Sequence, residues 1–107
     1  MNAILAPKVI HFYYCFLISI RLRKKYMPAL NDKENFRLSK SWLRTAQEKK
    51  LFDPVIHIEI TWLMSETTKR SFHDFENMIL KVYKKGKAFV EKCNETSNEE
   101  CDLIDKS

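Results

Sequence analysis

The chain has almost no glycine. Its 107 residues include one glycine, at Gly86, and three prolines. A cradle of backbone amides around a nucleotide phosphate depends on glycine-rich loops, so a site of that kind is nearly excluded. The same scarcity argues against a flexible linker, a collagen-like repeat or a loop-rich scaffold.

Cysteine is also scarce, and its spacing carries neither a metal-binding nor a disulfide pattern. The three cysteines are an odd number and include no C-x-x-C pair, which argues against a zinc site and against a disulfide framework. Cys93 and Cys101 could pair with each other, but reduced thiols are the favoured interpretation.

Motifs typical of catalysis are absent from the sequence as well. None of the three histidines belongs to an H-E-x-x-H motif, and no G-x-S-x-G occurs. His73 beside Asp74 could act as a base and its orienting carboxylate, but adjacent side chains rarely point together and no nucleophile accompanies them. We therefore predict a protein that is not an enzyme and that needs no cofactor or metal.

The chain does have positive charge, and the charge comes in blocks. Its length is that of one domain, and its formal net charge is +5. The segment 91–105 is acidic, whereas the basic residues cluster in two blocks, which are Arg21, Arg23, Lys24, Lys25 and Lys81, Lys84, Lys85, Lys87. Such blocks usually form a solvated face, and otherwise they attract an anionic partner.

An apolar run from Val9 to Ile20 precedes the first basic block. Its twelve residues fall short of the roughly 20 that a membrane-spanning helix needs, and extending the run back to Ala3 buries Lys8. A span is possible but poor, and it would place the C-terminal side in the cytoplasm; membrane contact and a soluble fate are almost equally supported. The run is also compatible with a buried or aggregation-prone strand, with a functional start at Met27, and with a cleaved signal peptide, which fits worse.

The segment from Ser39 to Lys50 predicts a helix. Helix-forming and apolar residues recur there at helical spacing, and Ser39 or Ser41 can cap the N-terminus. The helix should end before Pro54, because proline disfavours a helical residue immediately before it. The polar stretch 31–35 is interpreted as a linker or turn.

A β-strand is predicted after Pro54. Apolar and polar residues alternate with a strict period of two from Ile56 to Trp62, as in a half-buried antiparallel strand. The stretch from Thr67 to Phe72 is β-branched and aromatic enough to return as the partner strand. We therefore expect an α+β fold, with a small antiparallel strand pair or a three-stranded sheet packed on an amphipathic helix.

The amphipathic helix is predicted to begin near Asp74, which is a suitable N-cap. Its apolar face consists of Phe75, Met78, Ile79, Val82 and Tyr83. Gly86 either ends this helix or is tolerated within it. The stretch 94–107 is expected to be disordered.

Residues 55–83 resemble part of the phox-homology (PX) domain, a phosphoinositide-binding module. The likeness rests on I-E-I-T-W at 58–62, on R-S-F-H-D-F at 70–75, and on the helix that follows. The resemblance implies that Phe72 packs against an inositol ring and that residues 42–46 form the first strand.

The resemblance covers about thirty residues and departs from the family at one position that binds phosphate. Ser71 stands where the family has the arginine that holds the 3-phosphate, and Arg70 lies one residue earlier. Because successive side chains of a strand point to opposite faces, that shift changes the face on which the arginine lies.

These features predict an incomplete PX-like module that binds phosphoinositides or an acidic membrane surface. The expected lipid contacts are Arg70, Phe72 and Lys69. Nucleic-acid binding through the same basic residues ranks second, followed by a single-pass membrane protein with a cytosolic interaction tail.

The predicted organisation has three parts, in a cytoplasmic protein that is peripheral to a membrane or anchored to it by its N-terminus. The parts are an apolar and basic N-terminal segment (1–26, a candidate anchor), the PX-like module (36–92) and a disordered acidic tail (93–107).

Overall fold

The computed structural model describes residues 7–50 and 53–96, and within them the chain forms four α-helices and no strand. The helices are α1 (Pro7–Tyr26), α2 (Asp32–Lys49), α3 (Pro54–Glu66) and α4 (Phe72–Thr96). Helix α1 contacts each of the other three, most extensively α4, while α2 and α3 pack on each other. The predicted α+β fold, with its strand pair or three-stranded sheet, is therefore wrong.

The segment predicted as the first strand is helix α3. Asp53 caps the helix, since its carboxylate accepts hydrogen bonds from the amides of Val55 and Ile56, both at 3.1 Å. Pro54 occupies the first helical turn, where its missing N–H does no harm. The Lys8 ammonium, 2.8 Å from the Asp53 carboxylate, holds the pKa of Asp53 below its usual range and ties the start of α1 to the start of α3.

The period-two pattern of α3 hides two helical pairs. Ile56 and Ile60 are four residues apart and buried, whereas Ile58 and Trp62 are four residues apart and exposed by 63% and 39%. A set of residues with period two therefore contains pairs at i, i+4, and a helix divides those pairs between its two sides. Leu63, which is fully buried, continues the inward side at i+7 from Ile56.

The segment predicted as the partner strand is a turn followed by the start of α4. The amide of Thr67 still donates to the Leu63 carbonyl, and the chain then turns until Ser71. The Ser71 hydroxyl accepts from the amide of Asp74 at 3.2 Å, so Ser71 takes the capping position expected of Asp74. Helix α4 begins at Phe72.

Helix α2 begins earlier than expected. The side chain of Asn31 accepts from the amide of Glu34 at 2.8 Å, so the stretch predicted as a linker is the capped first turn of α2. The helix ends before Pro54, as predicted, with Lys50 in the left-handed conformation (φ 51°) as its C-cap. The first strand that the resemblance implied at 42–46 lies inside this helix.

Helix α4 confirms the predicted amphipathic helix. Phe75 and Ile79 are fully buried, and Met78, Val82 and Tyr83 are partly buried against the same core. The helix continues through Gly86 to Thr96. Residues 93–96 of the tail predicted as disordered belong to this helix, and the rest of that tail lies outside the described residues, which stop at 96.

The N-terminal apolar run is the central helix of the core. Its inward side chains are almost fully buried and include Val9, Phe12, Tyr13, Phe16, Leu17 and Ile20. The strand interpretation of this run is wrong, because the whole run is helical. Burying each apolar side chain contributes about 1.5–3 kcal/mol before the loss of chain entropy, so α1 contributes strongly to the stability of the core. Of the helices within 7–50 and 53–96, none is both long enough and apolar enough to cross a bilayer.

Two polar clusters join α1 to its neighbours, one buried in the core and one partly buried. The Tyr13 hydroxyl donates to Glu59 of α3 at 2.7 Å. Arg23 donates to Asn35 at 2.7 Å and to Ser39 at 2.6 Å, both on α2. Among the described residues, every buried side-chain nitrogen or oxygen has a hydrogen-bond partner, as packing in a low dielectric requires.

Candidate functional site

The three residues predicted as lipid contacts lie at the α3–α4 junction but do not share one surface. Lys69 and Arg70 are exposed in the turn, where Arg70 pairs with Glu66 at 3.3 Å. Phe72 is only 8% exposed, and its ring contacts that of Phe36 with 5.4 Å between the centroids. Lipid contact by these residues stays a prediction, and in the described structure Phe72 is a core residue.

A polar hollow lies between the end of α1 and the beginning of α4. It is open to solvent, has a volume of about 510 Å³ and is lined by Arg21, Lys24, Lys25, His73, Glu76 and Asn77. Lys24 pairs with Glu76 at 2.5 Å and lies over the Phe72 ring at 5.0 Å. The two basic blocks of the sequence therefore belong to helices that pack against each other.

A row of polar side chains, two of them lysines, extends from this hollow along the exposed side of α4. His73, Asn77, Lys81 and Lys84 follow one another at spacings of three and four residues, and all are exposed. A second hollow, which shares Asn77 with the first, is lined by Arg70 and Lys81 together with the carboxylate of Asp74. Arg70 therefore lies beside this side of α4, whereas Phe72 does not.

The outward side of α1 is apolar. Tyr14, Ile18, Leu22 and Tyr26 follow at intervals of four residues; we call them the α1 stripe. Tyr14, Leu22 and Tyr26 are exposed by 44%, 48% and 69%, and Ile18 is half-buried. At 1.5 Å per residue the stripe extends about 18 Å along the helix.

The α1 stripe and the basic side of α4 meet along the seam between the two helices. Tyr14 contacts Tyr83 with 5.6 Å between ring centroids, and Arg21 reaches Glu76 at 3.9 Å. Lys25 follows Arg21 by four residues, and its ammonium lies 5.2 Å from the centre of the Tyr26 ring. We call the combined area, which consists of the α1 stripe with Arg21, Lys25, His73, Asn77, Lys81 and Lys84, the α1–α4 surface.

An apolar groove continues this surface at the N-terminal end of α1. It has a volume of about 310 Å³ between Pro7, Ile10 and Tyr14 on one side and Tyr83 and Val90 on the other. His11 at its edge lies 3.5 Å from the exposed thiol of Cys15. No group of three or more metal-ligating side chains occurs within the described ranges, so the His11–Cys15 pair stands alone.

Burial perturbs the acid–base chemistry of three groups in the core. It raises the pKa of Tyr13, an effect that the neighbouring Glu59 strengthens. It also raises the pKa of the Glu59 carboxyl, although the hydrogen bond from Tyr13 acts in the opposite direction. Burial lowers the pKa of Arg23. These groups face other helices and not the α1–α4 surface, so we infer that they stabilise the fold and do not bind a ligand.

Sequence reasoning found both basic blocks and missed the α1 stripe. The blocks are visible as runs of charge, but their meeting depends on how α1 and α4 pack. The stripe was hidden because α1 is apolar on nearly all sides, so its outward residues look like core residues. The spacing of four from Tyr14 to Tyr26, ending beside Lys25, was the available signal.

The chain matches no protein-family model, no curated protein and no solved structure. Function must therefore be inferred from the surface itself.

Proposed function

We propose that this chain binds the surface of acidic membranes through the α1–α4 surface, as a peripheral protein. The observation that supports the proposal most strongly is that exposed tyrosine and leucine side chains lie next to lysine and arginine side chains on the same surface. Helices that lie in the membrane interface combine an apolar face with flanking cations in this way.

The basic residues supply long-range attraction. A Lys or Arg near an anionic lipid surface contributes about 1 kcal/mol, an effect that falls off within a Debye length. Arg21, Lys25, Lys81 and Lys84 all lie on the same side of the molecule, so their contributions act together. Binding through them should weaken as salt is added.

The apolar residues supply short-range contact. Four of the seven large apolar side chains exposed in the described residues lie on α1 or directly after it, the fourth being Met27. Tyr26 and Leu22 are about half-exposed or more, and inserting them among headgroups removes apolar surface from water at about 25 cal/mol per Å². Tyrosine suits this position because its ring is apolar and its hydroxyl stays hydrated.

Nucleic acid is the alternative ligand for the same basic residues. Nucleic acid would bind the cations, but nucleic-acid binding does not explain why leucine and methionine side chains are exposed beside them. Binding to nucleic acid also depends steeply on salt, so salt dependence alone does not separate the two ligands. The response to apolar substitutions does.

The test is flotation of the full chain with vesicles of phosphatidylcholine alone, and with vesicles that also contain phosphatidylglycerol. We expect binding only to the acidic vesicles. Leu22→Ser with Tyr26→Ser should weaken it at least about tenfold, since both apolar contacts are lost. The control is Ile58→Ser, which removes an apolar side chain of intermediate exposure, 63% against 48% for Leu22 and 69% for Tyr26, from α3 and should change nothing.

A second experiment tests the role of charge. It compares the double variant Lys81→Gln, Lys84→Gln on α4 with a control double variant on α2, Lys33→Gln, Lys49→Gln. The α4 pair should weaken flotation about tenfold at low salt, and the α2 pair much less. Failure of the wild-type chain to float with acidic vesicles, or binding to duplex DNA that Leu22→Ser with Tyr26→Ser leaves unchanged, would overturn the proposal.

A further inference from the structure

The polar hollow of the α1–α4 surface differs from the rest of that surface in its chemistry. Its lining side chains all carry charge or hydrogen-bonding groups, and three of them are cations. The other basic residues of the surface project singly from α4. The hollow is thus a concave, positively charged site formed by side chains of two helices.

Glu76 hydrogen-bonds one of these cations and forms an ion pair with a second. Its side chain is only 11% exposed, and it pairs with Lys24 at 2.5 Å and with the Nε of Arg21 at 3.9 Å. At 3.9 Å the contact between Arg21 and Glu76 is an ion pair without a hydrogen bond, and half of the Arg21 side chain is exposed. The carboxylate therefore attracts the guanidinium from one side, while the donors of the guanidinium remain available.

The α4 side of the hollow adds neutral donors. The Asn77 amide nitrogen lies 3.1 Å from Nε2 of His73. When the amide donates to Nε2, the proton of the neutral ring is on Nδ1, which can then donate to a ligand. Both residues lie near the N-terminal end of a 25-residue helix, where the dipole favours an anion.

We propose that this hollow binds a phosphate monoester; the inference rests on the membrane-binding function proposed above and gives it headgroup selectivity. A monoester carries a charge of about −1.5 to −2 at neutral pH and three acceptor oxygens, whereas a diester carries one charge. The cations outnumber the single carboxylate, and the planar donors of Arg21 match two phosphate oxygens at once. Lys25, which makes no ion pair within 7–50 and 53–96, supplies a further positive charge.

The ligand can come from a lipid headgroup or from a soluble phosphate ester, and the experiment separates the two sources. Flotation compares vesicles containing phosphatidic acid, a monoester, with vesicles containing phosphatidylglycerol, a diester, at matched surface potential. We expect about tenfold tighter binding to the phosphatidic acid vesicles, as for one additional charge-assisted hydrogen-bonded contact.

Arg21→Gln with Lys25→Gln is the decisive variant. It should remove the preference for the monoester while leaving measurable binding to phosphatidylglycerol. Lys81→Gln with Lys84→Gln is the matched control, since these lysines belong to the same surface but not to this hollow. The control should weaken binding to both vesicle types by the same factor, and a loss of preference in the control would contradict the inference.

A second experiment titrates the full chain with inorganic phosphate and follows the NMR signals of the His73 ring and the Asn77 side-chain amide. A titration with chloride at equal ionic strength is the control. Saturable shifts that the Arg21→Gln, Lys25→Gln variant abolishes support the hollow, even if the chain binds no vesicle. NMR shifts with phosphate but no preference for phosphatidic acid vesicles indicate that the ligand is a soluble phosphate ester. A preference for those vesicles without NMR shifts indicates that the ligand is a lipid headgroup. Equal binding to both vesicles together with no response to phosphate would overturn the inference and leave general acidic-membrane binding intact.

Discussion

The two halves of α1 are held in the core by different polar chemistry. In the N-terminal half, the Tyr13 hydroxyl donates to the Glu59 carboxyl of α3. In the C-terminal half, Arg23 donates to Asn35 and Ser39, and the Asn35 amide in turn donates to the Ile20 carbonyl at 3.2 Å. In the first contact an acidic group has one neutral donor, whereas in the second a cation has two side-chain acceptors.

The difference matters for how each contact responds to pH. Burial raises the pKa of Glu59, because the ionised carboxyl loses water and gains one neutral donor. Arg23 keeps its charge at any physiological pH, and its hydrogen bonds to two α2 side chains offset the water that it loses. We infer that the contact between α1 and α3 depends on pH and that the contact between α1 and α2 does not.

The largest expected effect is at Asn35. Asn35→Ala removes the acceptor of Arg23 and the donor to Ile20, and leaves a partly buried cation with fewer partners. We expect the free energy of unfolding to fall by about 3 kcal/mol, measured by chemical denaturation. Gln47→Ala, which breaks an exposed hydrogen bond to Thr61, is the control and should cost under about 0.5 kcal/mol.

A smaller loss is expected at Tyr13. Tyr13→Phe removes the hydroxyl and leaves the Glu59 carboxyl buried without that donor, which should lower the free energy of unfolding by about 2 kcal/mol at neutral pH. Tyr14→Phe is the matched control, because Tyr14 is 44% exposed and its hydroxyl is free to bond water. Equal stability of both variants would show that the Tyr13–Glu59 hydrogen bond contributes nothing.

The pH prediction concerns Glu59 itself. Because its pKa is higher in the folded than in the unfolded chain, its favourable contribution is fully present below the unfolded value, near 4.5, and is lost as pH rises through the folded value. Relative to Glu59→Gln, the wild-type chain should therefore lose stability with rising pH, by at most about 1.4 kcal/mol per pH unit. Denaturation of both proteins between pH 4 and pH 8, values that bracket the titration of a raised carboxyl, measures the difference, and parallel curves would refute it.

The smallest effect is expected at Ser39. Ser39→Ala removes one of the two side-chain acceptors of Arg23, but Asn35 remains and water can reach the guanidinium, so the loss should be about 1 kcal/mol. Ser41→Ala, at an exposed position of the same helix, should be neutral in the same thermal or chemical unfolding experiment. If Ser39→Ala lowered the free energy of unfolding more than Asn35→Ala, Ser39 and not Asn35 would be the more important partner of Arg23.

Sequence reasoning predicted α4 well and α3 wrongly, and the reason lies in their patterns. Helix α4 separates its apolar and polar sides, so its period is visible without knowledge of the fold. Helix α3 carries apolar residues on both sides, and its alternation matches a strand as well as a helix. The pair Asp53–Pro54 could have decided the question, because a capping carboxylate followed by proline is a common helix start.

The candidate surface was only partly predictable for a related reason. Runs of charge are a local property, so the basic blocks were identified. Their meeting across the α1–α4 seam, and the exposure of Leu22 and Tyr26, depend on which side of α1 faces solvent. That choice is made by long-range packing, in contacts such as Phe16 with Phe75.

The position of α1 at the centre of the core also has a consequence for how the protein is made. The residues that cover α1 come late in the chain; Lys24 and Glu76 are separated by 52 positions. At about 5–20 residues per second, a ribosome needs several seconds to synthesise that interval. During this time the apolar run of α1 lacks its main partner, so we expect nascent chains to engage chaperones through α1 and to be released once α4 has emerged.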